Sequence, residues 1–487
     1  MLTREAESAD APAHAQPDEA RHRRERIEHW DRIAVALGRR TTGRAYHQRL
    51  VETYRNLVSP GQTVLELGCG TGDLLAALRP SRGVGVDFSR EMLTRARARH
   101  PDLEFLEQDV SDLRVEGPFD VVIMSDLVND LWDVQRVLEA VRKLCTPATR
   151  VVLNTYSRLW ELPLASAERL GLARPVLRQN WLAPADMENL LRLSGFETLR
   201  TFQDVLCPVP LPGIARFCNT VLAKIWPFRH LALTNFLVAR PVDAVRAGAP
   251  LVSVIVPARN EAGNIAQVFD RTPEMGAGTE LVFVEGHSTD DTYRTIERAI
   301  AARPGRRCKL LRQSGRGKGD AVRLGFAESA GDILMILDAD LTVAPEDLPR
   351  FVEALRSGRG EFINGVRLVY PMADRAMRFL NLLGNKFFSL AFSWLLGQSV
   401  KDSLCGTKVL WRTDYDRIAA NRATFGDFDP FGDFDLLFGA AKQNLKIVDM
   451  PVRYRERTYG TTNIQRFRHG LLLLRMVLFA AGRIKFV

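Results

Sequence analysis

Apolar positions along the chain fall into two series of short runs, separated by longer stretches with helical spacing, as in parallel α/β sheets. The first series predicts strands at 64–67, 84–87, 103–106, 119–124 and 150–155 and closes with one at 231–238. The second predicts strands at 252–256, 281–284, 309–311 and 333–337. Between them, residues 241–250 are rich in Pro, Gly and Ala and read as a linker. The fold class expected is α/β with two domains, 23–240 and 251–487, and no fixed-period repeat. Residues 1–22, acidic with Ala, Pro and His filler, are expected to be disordered.

Composition narrows the function classes. With 487 residues, 46% apolar and 26% charged, the chain is neither wholly disordered, collagenous nor a multi-span membrane bundle. The net charge of +9 is uneven: residues 1–250 hold 33 Lys+Arg against 31 Asp+Glu, while 451–487 hold eight basic residues against Glu456 alone. A near-neutral first half argues against a nucleic-acid partner. The basic tail suits phosphates or anionic lipid headgroups, or is a solvated basic face. Two apolar stretches, 379–397 and 471–487, are each broken by charged or amide residues, so neither reads comfortably as a spanning helix. They read as amphipathic helices in a membrane interface, or as ordinary core helices. Six cysteines without a C-x-x-C pair read as reduced thiols, with no disulfide framework or structural zinc. No basic region followed by an apolar run opens the chain, so a cytoplasmic protein is expected, at the inner face of the membrane if the apolar stretches dock there.

The first candidate site follows the strand at 64–67. The run ELGCGTG, from Glu66 to Gly72, places Gly68, Gly70 and Gly72 at alternate positions between a strand and a helix. Main-chain N–H groups can there approach a ligand closely, beside the positive end of a helix. Asp87 ends the next strand, where a carboxylate can take two ribose hydroxyls, and Asp109 follows the third, placed to meet an adenine edge. These three motifs resemble those of class I S-adenosylmethionine-dependent methyltransferases, over about residues 40–240. The resemblance implies Glu66 and the glycines around the methionine part of that cofactor, Asp87 on its ribose and Asp109 on its adenine. Ser125, Asp126, Tyr156 and Trp181 are candidates near the pocket mouth, and no motif for nucleic-acid methylation is present.

The second site follows the strand at 333–337, which ends in Asp338-x-Asp340. Two carboxylates so spaced can hold Mg²⁺ or Mn²⁺ against a diphosphate. With them come VSVIVPARNE (252–261), VEGHSTDD (284–291) and the basic glycine-rich GRGKGDAVR (315–323). Together they resemble a family 2 glycosyltransferase of the GT-A fold, in its dolichyl-phosphate mannosyltransferase-like branch, over about 250–470. The resemblance implies Pro257, Arg259, Glu261 and Glu285 along a nucleotide pocket with Lys318 near it, and Asp338 and Asp340 as metal ligands. It implies Arg367 against phosphate, and it places Asp402 and Arg457 in recurrent segments. Asp433 or Asp435, in the acid-rich run 426–435, is the candidate general base for a hydroxyl acceptor; an anionic lipid phosphate needs none. Glu285-Gly286, Thr342 and Asn463 depart from the usual residues of the branch.

The sequence therefore predicts a methyltransferase joined to a metal-dependent glycosyltransferase. The expected partners are S-adenosylmethionine, a nucleotide-diphosphate sugar and a lipid phosphate or small-molecule acceptor. A transferase of soluble metabolites and a non-catalytic membrane-docking scaffold are the alternatives left open.

Overall fold

The protein is described by a computed structural model covering residues 17–36, 43–170, 177–242, 248–367, 379–422, 434–453, 455, 459 and 466–487. Two seven-stranded sheets organise it. The first comprises β1 (Thr63–Leu67), β2 (Arg82–Asp87), β3 (Glu104–Glu107), β4 (Val121–Met124), β5 (Arg150–Tyr156), β6 (Phe196–Asp204) and β7 (Thr234–Pro241). Its order is β3-β2-β1-β4-β5-β7-β6, parallel except for β7, which runs against β5 and β6. The second comprises β8 (Leu251–Ala258), β9 (Gly278–Glu285), β10 (Cys308–Arg312), β11 (Ile333–Ile336), β12 (Phe362–Val366), β13 (Lys408–Trp411) and β14 (Ile447–Pro451). Its order is β10-β9-β8-β11-β13-β12-β14, with β13 antiparallel to both neighbours.

This topology positions the sites. Strand order reverses between β1 and β4 in one sheet and between β8 and β11 in the other, opening a crevice beyond the carboxyl ends of the strands. The glycine run leaves β1, and Asp338 and Asp340 lie just beyond β11. Strands β4 and β11 are buried at every position because helices cover both faces, which is why they read as unbroken apolar runs.

Several expectations are revised. A helix over Pro17–Ala36 begins inside the stretch expected to be disordered, with Asp18 and Glu19 in its first turn. The strand expected at 231–238 runs instead over Thr234–Pro241, because Phe228–Leu231 form a 3₁₀ turn. Neither apolar stretch resolves to one of its two readings. On the helix Phe379–Leu396, Phe392 and Leu395 enter the core while Phe387 and Leu390 remain exposed. On the helix Arg466–Ala480, Leu473 and Met476 are buried while Leu474 and Leu478 are exposed. Among the described residues, no helix is long and apolar enough to cross a membrane.

The two sheets meet through a buried ionic cluster. Both oxygens of Glu361 accept from Arg150 of β5 at 2.7 Å, and Arg240 of β7 lies 3.5 Å from the same carboxylate. Burial pushes the Glu361 carboxyl upward, but the two guanidinium groups outweigh it and hold the pKa below the usual range.

Candidate active sites

At the first site, Gly68, Gly70 and Gly72 all adopt positive φ, and Gly70, at +51°, has open space where a Cβ would project. A main-chain cradle of this kind leaves room for a ligand. Glu66 lies beneath it with Oε2 buried and unpartnered, and burial raises its pKa to about 8. Such an orphaned acceptor suits a cationic or hydrogen-bonding ligand group. Asp87, expected to face ribose, takes the N–H of Gly70 at 2.9 Å and of Ser89 at 2.8 Å, and so ties the glycine loop to β2. Asp109, expected near adenine, accepts from the Ser111 amide and pairs with Arg23 at 2.9 Å.

Arg23 belongs to the helix Pro17–Ala36, which sequence reasoning missed. Ser89 donates to Asp31 of this helix, and Arg26 donates to the carbonyls of Asp130 and Arg178. The helix thus spans loops from β2, β3 and β4. The spacing of Ile27, Trp30 and Ala34 was the signal that could have revealed it.

Of the candidates expected near the pocket mouth, Asp126, Tyr156 and Trp181 neighbour one another, Tyr156 contacting both of the others. The Tyr156 and Trp181 rings are tilted at 42° to each other, with centroids 6.5 Å apart. Tyr46, which the sequence did not single out, donates to Asp126 at 2.8 Å, and Asn154 donates to the same oxygen. Asp126 sits at φ 54°, unusual for a non-glycine residue. Burial raises its pKa to about 6 despite these donors. A carboxylate so poised can accept a proton near neutral pH.

At the second site, Lys318 opens the helix Lys318–Glu328 and its ammonium lies 2.6 Å from Asp338, closer to the carboxylate pair than expected. Burial pushes the Asp338 carboxyl upward, but Lys318 outweighs it and the pKa is lowered. Asp340 accepts from the amide and hydroxyl of Thr342, across Leu341 at φ 55°. Gly406 presses on the pair: a Cβ there would collide with the Asp338 carboxylate and the Lys318 ammonium.

Arg367 and Asp402 form a two-point pair at 2.7 and 2.9 Å, and the amide of Arg367 also donates to Asp402. The arginine expected on phosphate is therefore anchored by the neighbouring candidate, a partnership the sequence did not show. Glu261 accepts from Asn264 at 2.7 Å, Glu285 accepts from the Ser288 amide, and Pro257 and Arg259 flank them at the end of β8. Asp435 pairs with Arg422 at 2.9 Å. Asp433 and Arg457 lie outside the described residues.

Among the described residues, no group of three or more His, Cys, Asp and Glu gathers as a metal site. Asp338 and Asp340 offer two hard carboxylate donors in a place that already attracts a cation, the oxygen chemistry that would hold a divalent ion.

These two sites define a double transferase of the α/β class. The model of glycosyl transferase family 2 matches residues 253–415, and that of a methyltransferase domain matches 64–148. Glycosyltransferase AglJ of Haloferax volcanii is 30% identical over 221 residues, covering 45% of this chain and 68% of that protein. The undecaprenyl-phosphate 4-deoxy-4-formamido-L-arabinose transferase of Edwardsiella ictaluri is 27% identical over 46% of this chain and 64% of its own length. The solved putative methyltransferase complexed with the Haloferax volcanii activator Trm112 is 21% identical, covers 44% of this chain and 97% of its own, and superposes with a TM-score of 0.34. The chain belongs to glycosyl transferase family 2 and carries a methyltransferase domain ahead of it.

The environment of Asp126 leads to one prediction. Methyl transfer to an acceptor that must lose a proton is expected to rise with pH through about 6, as the carboxylate becomes free to accept it. Asp126→Asn should flatten that rise and lower kcat about 10²-fold. A pH–rate profile unchanged in the variant would assign the proton elsewhere.

Proposed function

We propose that the protein transfers a sugar from a nucleotide-diphosphate donor to a polyprenyl-phosphate-type lipid, and a methyl group from S-adenosylmethionine to a sugar, lipid-linked or small-molecule acceptor. The observation that carries the sugar-transfer reading is the carboxylate pair beyond β11, with Lys318 on Asp338 and Gly406 closed over that ion pair. Asp338 and Asp340 would hold Mg²⁺ or Mn²⁺, which when bound would supply positive charge for a departing diphosphate. Lys318 adds a second positive charge from the protein, and Arg367, fixed by Asp402, holds its guanidinium in a set direction. Pro257, Arg259, Glu261 and Glu285 border the nucleotide side.

For methyl transfer, S-adenosylmethionine supplies an electrophilic methyl group. The chain contributes the glycine cradle, Glu66 beneath it, Asp87 and Asp109 at its rim, and Asp126 as the proton acceptor. Alignment of the nucleophile supplies much of the rate in such a reaction.

A lipid-phosphate acceptor is supported by the named substrate of the undecaprenyl-phosphate relative and by apolar exposure on both halves of the chain. Beyond the two helices noted above, the segment between β6 and β7 exposes Ile214, Phe217 and Trp226 with Arg216 and Arg229 nearby. Large apolar side chains interleaved with basic ones suit an anionic membrane surface at the inner face of the membrane. Flotation with anionic vesicles is therefore expected to carry the protein upward. Phe217→Ser with Trp226→Ser should reduce the floated fraction several-fold, and an unchanged fraction would remove this segment from the interface.

The test of the whole reading is product analysis by mass spectrometry. The full chain is offered a panel of sugar nucleotides, S-adenosylmethionine, Mn²⁺ and undecaprenyl phosphate. A glycosylated lipid phosphate is expected. Sugar found only on soluble acceptors would favour the metabolite-tailoring alternative, and no transfer with no cofactor binding would leave a scaffold.

A further inference from the structure

Between the two sheets, away from both carboxylate sites, lies a cavity of about 360 Å³. Its walls come from both halves: the helix Arg44–Leu57 and β6 on one side, the ends of the helices Phe379–Leu396 and Phe434–Lys442 and the segment 483–487 on the other. Seven Arg or Lys side chains line it, against Asp204 as the single acidic side chain, and Arg49 also donates to the Val487 carbonyl oxygen at 2.8 Å.

Asp204 is already spent. It pairs with Arg49 at 3.0 Å and with Lys224 at 2.8 Å. Among the described residues, no acid acts on Arg200, Lys442 or Lys485. Arg200 has a buried Nε with no hydrogen-bond partner, and its guanidinium lies 5.3 Å from the Phe202 ring centroid. Lys442 donates to the neutral carbonyl of Asn56 at 2.7 Å, and the Lys485 ammonium lies 5.3 Å from the Trp394 ring centroid. Burial, then repulsion from Arg200, lowers the pKa of Lys442 and of Lys485 to about 8, and burial alone lowers that of Arg200 to about 10. Ring faces compensate a desolvated cation only in part. Cations converging on one cavity without counter-charge are costly unless an anion completes them.

We infer that this cavity is a phosphate-binding site joining the two halves of the protein, built by Arg200, Lys442 and Lys485 around the head of a phosphate monoester. Phosphate accepts several charge-assisted hydrogen bonds at once, which suits an arginine and two lysines lining one cavity. Phe202, Trp394 and Leu57 form an apolar wall beside the cations, where a carbon chain attached to the phosphate can lie. Bound there, the phosphate neutralises charges contributed by both halves and holds them together. The inference does not depend on which groups the enzyme transfers.

The test uses the full chain and reads thermal unfolding. The midpoint is followed against inorganic phosphate, and against dodecyl phosphate below its micellar concentration, each compared with sodium chloride at matched ionic strength. A saturable rise beyond the chloride control is expected, because a ligand that binds only the folded state stabilises it. Arg200→Gln and Lys442→Gln should each weaken the apparent affinity at least tenfold. Arg200→Lys should recover part of it, which separates lost binding from lost folding. Equal saturation by both probes identifies a soluble phosphate as the natural ligand. Saturation by dodecyl phosphate at a tenfold or lower concentration identifies a lipid phosphate. No rise beyond chloride, or the same rise in wild type and the Gln variants, overturns the site.

Discussion

Asp338→Asn is expected to cut sugar transfer by roughly 10³-fold, the scale seen when one charged or oriented group is removed from a site that stabilises developing charge. The size of the effect follows from what Asp338 touches. Its carboxylate holds the Lys318 ammonium at 2.6 Å and lies under Gly406, so the amide would release the lysine and remove one of the two carboxylates proposed to hold a divalent ion. Methyl transfer by the same variant should be unchanged, since the glycine cradle belongs to the other sheet. Gly406→Ala should resemble Asp338→Asn, because its Cβ would displace both partners of that ion pair. Initial rates with saturating donor and Mn²⁺ measure the effect. Retention of more than a tenth of wild-type turnover in Asp338→Asn would rule out a central role for this carboxylate pair.

The largest loss of stability is expected from Glu361→Ala. Arg150 is about 5% exposed at its side chain and Arg240 about 2%, and both direct guanidinium groups at Glu361. Removing the acid leaves two buried cations without their shared partner, a change that costs about 3–5 kcal/mol. Arg150 would keep its bonds to the carbonyls of Asn444 and Ala148, and Arg240 its contact with Glu197, so part of the cluster survives. Denaturant unfolding of the full chain reads the difference, and a loss below about 1 kcal/mol would show that the cluster relaxes into water. Acid should act in the same direction. The Glu361 pKa lies below its unfolded value, so its contribution is fully present above the ordinary glutamate pKa of about 4.3. That contribution is lost as pH falls through the depressed folded value.

The candidate sites were legible where they consist of local sequence. Gly68, Gly70 and Gly72 need positive φ within one short turn, and Asp338 and Asp340 follow a fully buried strand whose apolar run is unmistakable. The partners of those residues were not legible. Lys318 meets Asp338 across 20 residues, Arg367 meets Asp402 across 35, and Arg23 meets Asp109 across 86. No spacing rule connects such pairs. Strand β6 was missed for a different reason: it is an edge strand whose middle residues are all part-buried, so its alternation carries Glu197, Arg200 and Gln203 among the apolar positions. Strands β12 and β14 are short and contain Gly, Asn, Asp or Pro, which read as loop.

By itself, the chain of residues determined two α/β domains, the glycine turn after β1 and the strand-end carboxylates, because strand burial and tight turns depend on neighbours a few positions away. Only the tertiary structure decided that Arg367 is held by Asp402, that a helix from Pro17 spans the first site, and that cations from both halves line one cavity. Charge compensation inside a folded protein depends on distance through space, and distant segments reach those distances only after the sheets have assembled.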